Sequence, residues 1–99
     1  MIMLLTGLAI LGGILAVAAV IALLTFKMVL DWYKDKNKIK DKHHVNVMLK
    51  QHLSNGNFKT ITGVFDPYDD KIHDAKAFES KKLDDDLAAR KECCVIHDV

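Results

Sequence analysis

Residues 2–33 read IMLLTGLAILGGILAVAAVIALLTFKMVLDWY, and the reading of this stretch decides the fold. From Ile2 to Phe26 only Thr6 and Thr25 are polar, and no residue is charged. As a helix, such a run is about 37 Å long at roughly 1.5 Å per residue, enough to cross a hydrocarbon core of roughly 30 Å with some tilt. A cleaved signal peptide is the weaker reading. Only the α-amino group precedes the apolar run, and Val20, Ile21, Ala22, Leu23 and Leu24 continue beyond the small residues Ala16 and Ala18. The run therefore predicts one transmembrane helix.

The residues beyond Phe26 supply the orientation. Trp32 and Tyr33 lie about 9 Å beyond Phe26 on a continued helix, the depth of lipid headgroups, and Lys27 can snorkel to the same level. Lys34, Lys36, Lys38, Lys40 and Lys42 come next, diluted by Asp31, Asp35 and Asp41. Lysines beside a membrane helix stay in the cytoplasm, so the N-terminus is expected outside and the C-terminal part inside. Lys27, Trp32, Tyr33, Lys34, Lys36 and Lys38 are the expected interface residues, with anionic headgroups as their partners. Adjacent Cys93 and Cys94, without a third cysteine, fit a reducing compartment.

Within the run, Ala9, Gly12, Ala16 and Ala19 recur at steps of three, four and three, with Gly13 beside them and Leu5, Leu23 and Phe26 extending the series. Small residues at such spacing let two membrane helices approach closely. The expected protein partners are integral membrane subunits or copies of the chain itself.

The rest of the chain reads as a basic linker over residues 34–44 and a small α+β domain over 45–99, following a membrane unit over 1–33. Val45, Met48, Leu49 and Leu53 have helical spacing, so residues 45–54 are expected as a helix stopped by Ser54, Asn55, Gly56 and Asn57. Residues 58–65, rich in Thr, Ile, Val and Phe, predict a strand, and 71–78 a returning one. Asp66, Pro67, Tyr68, Asp69 and Asp70 form the turn between them. Ser80 is the expected N-cap of a second helix containing Leu83 and Leu87, and Cys93 to Ile96 a last strand. The fold class expected is a single transmembrane helix followed by a cytoplasmic α-β-β-α-β domain.

No motif carries chemistry. Cys93 and His97 would lie about 13 Å apart along a strand, at roughly 3.3 Å per residue, with Cys94 on the other face, which is a poor ligand set. His43 and His44 read as polar linker residues, and His52 and His73 have no partner near them in sequence. Asp66, Asp69, Asp70 and Asp74 lack the spacing of a calcium loop and suit turn chemistry. There is no phosphate-binding glycine loop and no nucleophile with a paired base, so neither catalysis nor a cofactor or metal is expected. Nucleic acid is not an expected partner: the lysines lie where the membrane is expected, and the distal domain leans acidic. The function expected is that of a non-catalytic accessory subunit at the cell membrane. A homo-oligomeric scaffold is the alternative, and a metal- or redox-responsive sensor a further one.

Overall fold

The structure is a computed structural model; it describes residues 17, 19–37 and 44–96, with Lys36, Asn37 and Cys94 described by backbone alone. Five strands and two helices follow in the order β1 (Val20–Leu24), α1 (Phe26–Asn37), β2 (Val45–His52), β3 (Phe58–Asp66), β4 (Lys71–Leu83), α2 (Asp85–Ala89) and β5 (Cys93–Val95). The strands form one sheet in the order β1-β4-β3-β2-β5. β1 runs parallel to β4, and every other pair is antiparallel.

The expected membrane helix is overturned at Thr25. Before it, Val20 to Leu24 form a strand in register with Glu79 to Leu83. After it, a helix begins whose first turn Thr25 caps: its hydroxyl accepts from the Met28 N–H at 3.2 Å. An unbroken apolar run does not distinguish a membrane helix from a buried strand joined to a helix, and a single capping threonine divides this one. No helix among the described residues is long and apolar enough to cross a membrane. The remainder of the run, residues 1–16, lies outside the described residues.

α1 is amphipathic. Phe26, Val29 and Tyr33 are buried at steps of three and four, while Lys27, Asp31, Lys34 and Asp35 are exposed. The buried stripe joins Leu24, Met48, Leu87 and Ile96 in a core on one face of the sheet. Residues 34–37, expected as linker, are the last turn of this helix. Trp32 and Tyr33, expected at the membrane interface, are thus packed in this core.

The expected helix over 45–54 is a strand. β2 lies between β3 and β5 and carries core on both of its faces, Met48 in one cluster and Val47 and Leu49 in the other, so Asn46, Val47, Met48 and Leu49 are all buried. Burial on both faces erases the period of two that would mark a strand, and the remaining apolar positions imitate a helix. Val47 and Leu49 join Ile61 and Ala77 in a second core, while Met48 belongs to the first.

The hairpin of β3 and β4 stands across the expected turn. β4 runs on to Leu83, so Ser80 is a buried strand residue paired with Phe58 and Ile21, and not a helix cap. The cap is Asp84. One of its carboxylate oxygens accepts from Leu87 N–H at 2.9 Å, and the other from Phe26 N–H at 2.9 Å, so one side chain serves the first turns of both helices. Its own N–H donates to Leu24 O at 3.0 Å. Cys93 to Val95 form a strand, paired with β2.

Candidate functional site

A sheet offers chemistry at its edges, where backbone groups lack a strand partner, and at the ends of its strands, where side chains from several strands converge. The two edges here are β1 and β5. β5 has three residues and follows exposed Lys91 and Glu92, so shortness and charge both discourage an added strand. β1 has five residues, VIALL, with no charge and no proline. Val20 is 49% exposed and Leu23 46%. Met28 on α1 is also exposed, and exposed Ala19 precedes the strand. Parallel pairing with β4 engages one row of the β1 backbone groups, and no other described strand pairs with it.

At one end of the sheet a cleft of about 540 Å³ is lined by Lys50, His52, Phe58, Lys82, Leu83 and Glu92, among others. The His52 and Phe58 rings stack there with centroids 4.7 Å apart. Lys50 is committed to structure: its ammonium donates to Leu87 O at 2.5 Å and also to Arg90 O, closing the C-terminal end of α2. Lys82 and Glu92 are exposed with opposite charges, so the lining selects no single ligand charge.

At the other end, roughly 25 Å away over eight residues of β2, a different group converges. The β2–β3 register pairs Val45 with Phe65, which sets His44 opposite Asp66. On β4 the register shifts by one residue, with Val64 facing Asp74 and Phe65 facing Ile72, and His73 falls in the bulge between them. His44 Nε2 lies 3.4 Å from Asp66 Oδ2, and His73 Nε2 lies 3.7 Å from the same oxygen. His73 Nε2 also meets Asp69 Oδ2 at 2.6 Å. Burial disfavours the Asp69 carboxylate, but hydrogen bonds from His73 and from the Lys71 N–H, with the charges of both residues, outweigh it and hold its pKa below the ordinary value.

No family model, curated protein or solved structure matches the chain.

Ala9, Gly12, Gly13, Ala16 and Lys38 lie outside the described residues, as do His43 and His97. Ala19 is exposed beside the β1 edge. Tyr33, expected at headgroup level, is completely buried, and its hydroxyl donates to Val47 O. Trp32 is half-buried with its ring edge-on to Tyr33 at 5.1 Å. Lys27 and Lys34 are exposed on α1 among Asp31 and Asp35, so that face carries both signs. Lys36 belongs to the last turn of α1. Cys93 is half-buried; burial and the neighbouring Glu92 charge push its thiol up, which disfavours the thiolate. The grouping of His44, Asp66 and His73 is hidden in the sequence because its signal depends on β2 being a strand in this register.

Proposed function

We propose that this chain is a non-catalytic interaction module, an accessory subunit that joins a larger protein by adding its β1 edge to a strand of the partner. The exposed, uncharged β1 strand is the observation that carries this reading. Edge strands are ordinarily blunted by charge, proline or bulges, and an edge with none of these is a template for another strand. In such an addition, main-chain hydrogen bonds supply affinity and alternate side chains supply specificity. Here Val20 and Ala22 are the exposed side chains on one face of the strand, and Leu23 is exposed on the other.

A five-residue edge favours an accessory role over a self-sufficient dimer. A stable interface buries about 1,200–2,000 Å² in total, more than two short strands provide. A larger partner can also cover Met28 and the exposed side of α1.

The test places a lysine on the edge. Val20→Lys and Leu23→Lys alter exposed side chains, so stability should change by no more than about 0.5 kcal/mol. Both variants should lose association with the partner in native mass spectrometry, and the β1 amides should exchange more slowly in the wild-type complex than in the free chain. A complex that survives both substitutions, with β1 amides exchanging as in the free chain, would refute the reading. Mass spectra showing only even-numbered copies of this chain would replace the accessory subunit by a homo-oligomeric scaffold using the same edge.

A further inference from the structure

We propose that His44, Asp66 and His73 form a binding site for a divalent transition ion of the zinc, cobalt, nickel or copper type, with Asp69 as a fourth ligand. The site is separate from the β1 edge and does not rest on the reading above. One donor atom from each of His44, Asp66 and His73 lies within 4.8 Å of the other two.

The spacing fits such an ion. Bonds of about 2.1 Å to imidazole nitrogen and carboxylate oxygen place tetrahedral ligands roughly 3.4 Å from one another. The two histidine nitrogens stand 3.4 and 3.7 Å from Asp66 Oδ2. Donor type narrows the choice further. Two imidazoles with carboxylates suit zinc and its first-row neighbours, whereas calcium and magnesium take oxygen ligands. Two neutral imidazoles and two carboxylates also bring two negative charges, which balance a divalent cation.

The surroundings aim these groups. Asp66 Oδ1 accepts from the Tyr68 N–H at 2.8 Å, which turns Oδ2 toward the histidines. Asp69 Oδ1 accepts from the Lys71 N–H at 3.0 Å and leaves its Oδ2 for His73. Hydrogen bonds that hold the non-ligating atom of a ligand are the usual support of a metal site. The imidazole rings of His44 and His73 stack at 5.2 Å with 20° between their planes. Both Nε2 atoms nevertheless stand against the same Asp66 oxygen, and ligation of one ion requires the rings to tilt until their in-plane lone pairs converge on it. His44 and Asp66 side chains are only 16% and 18% exposed, and the buried His44 Nδ1 finds no hydrogen-bond partner among the described residues. A plain surface ion pair needs neither the second histidine nor this degree of enclosure.

When an ion enters, it takes the Nε2 lone pair of His73 in place of the present contact with Asp69, and any proton there is released to solvent. Asp69 Oδ2 is then free to turn onto the ion.

The experiment uses the full chain carrying Cys93→Ser and Cys94→Ser, so that thiols cannot supply the binding. After chelator treatment, zinc and cobalt chloride are titrated separately by calorimetry, with cobalt absorption and histidine ring NMR as independent readouts. The expected result is one ion per chain, a cobalt spectrum of nitrogen and oxygen ligands, and shifts of two of the five histidine rings. His44→Ala and His73→Ala should each weaken binding at least about tenfold, while His52→Ala, at the opposite end of the sheet, should not. If either variant fails to fold, the ring shifts in the parent chain decide. Absence of binding at millimolar ion, or binding that leaves the His44 and His73 rings unmoved, would overturn the site.

Discussion

Asp84 holds the two chain corners together. Its carboxylate accepts from Phe26 N–H and Leu87 N–H, and its own N–H donates to Leu24 O, so β1, α1 and α2 all depend on it. Loss of an N-cap costs about 1 kcal/mol, and a buried donor left without a partner about 1–3 kcal/mol. Asp84→Ala should therefore destabilise by roughly 2–3 kcal/mol in urea unfolding; a loss comparable to that of an exposed aspartate such as Asp85 would show that the shared cap is unimportant. Asp69 tests a smaller effect through pH. Its folded pKa is depressed, so the stability it contributes is fully present above the ordinary value of 3.8 and is lost as pH falls through the lower folded value. Asp69→Asn should lower the melting temperature well above pH 3.8, and its difference from wild type should close in more acidic solution. An equal deficit at both extremes would mean that the charge plays no part. Even the local part of this chemistry is misplaced in sequence, where Ser80 reads as the cap four residues too early. That the Asp84 carboxylate also reaches Phe26, 58 residues away, has no local cue at all.

The element that sequence reasoning misjudges most is β1 with α1. Twenty-five residues in a row from Ile2 to Phe26, all uncharged, satisfy the rule for a membrane helix, and nothing in their composition marks the break at Thr25. The break shows instead in burial. Leu24 is completely buried in the core, while adjacent Leu23, which points the opposite way on the strand, is 46% exposed. Leu24→Ala should cost about 2–5 kcal/mol, against no more than about 0.5 kcal/mol for Leu23→Ala at its exposed position. On a lipid-embedded helix the two substitutions would differ little, so equal costs in chemical denaturation would restore that reading. The β3–β4 hairpin is legible because its cues are local: β-branched and aromatic runs meet at Pro67, with Asp66 and Asp69 accepting from backbone N–H groups two residues on. β2 is not, because a core cluster on each face of the sheet buries four consecutive side chains and leaves no alternation to read.

Across the whole molecule, the sheet order explains why the chain resists division into a membrane unit and a separate domain over 45–99. β1 and β4 lie side by side although α1, β2 and β3 separate them in sequence, so the sheet closes only when the earliest described strand joins the latest long one. α1 then covers one face, where Phe26, Val29 and Tyr33 pack on Met48, Leu87 and Ile96. No local cue in sequence announces a parallel pairing of this range, which is why the sheet's edge strand reads in sequence as part of a different unit. A chain beginning at residue 44 lacks β1 and α1 together. It leaves Met48, Leu87 and Ile96 without their cover, opens β4 as a bare edge, and removes the Phe26 N–H that Asp84 binds. Truncating a single large core side chain costs about 2–5 kcal/mol, and whole domains are stable by only about 5–15 kcal/mol, so loss of three buried side chains and a strand exceeds what the remainder can supply. The fragment 44–99 should show no cooperative melting and poorly dispersed amide resonances, whereas a fragment from residue 17 should fold. If the shorter fragment melts cooperatively with the amide spectrum of the intact sheet, then β1 and α1 are appendages and the interaction edge belongs to β4.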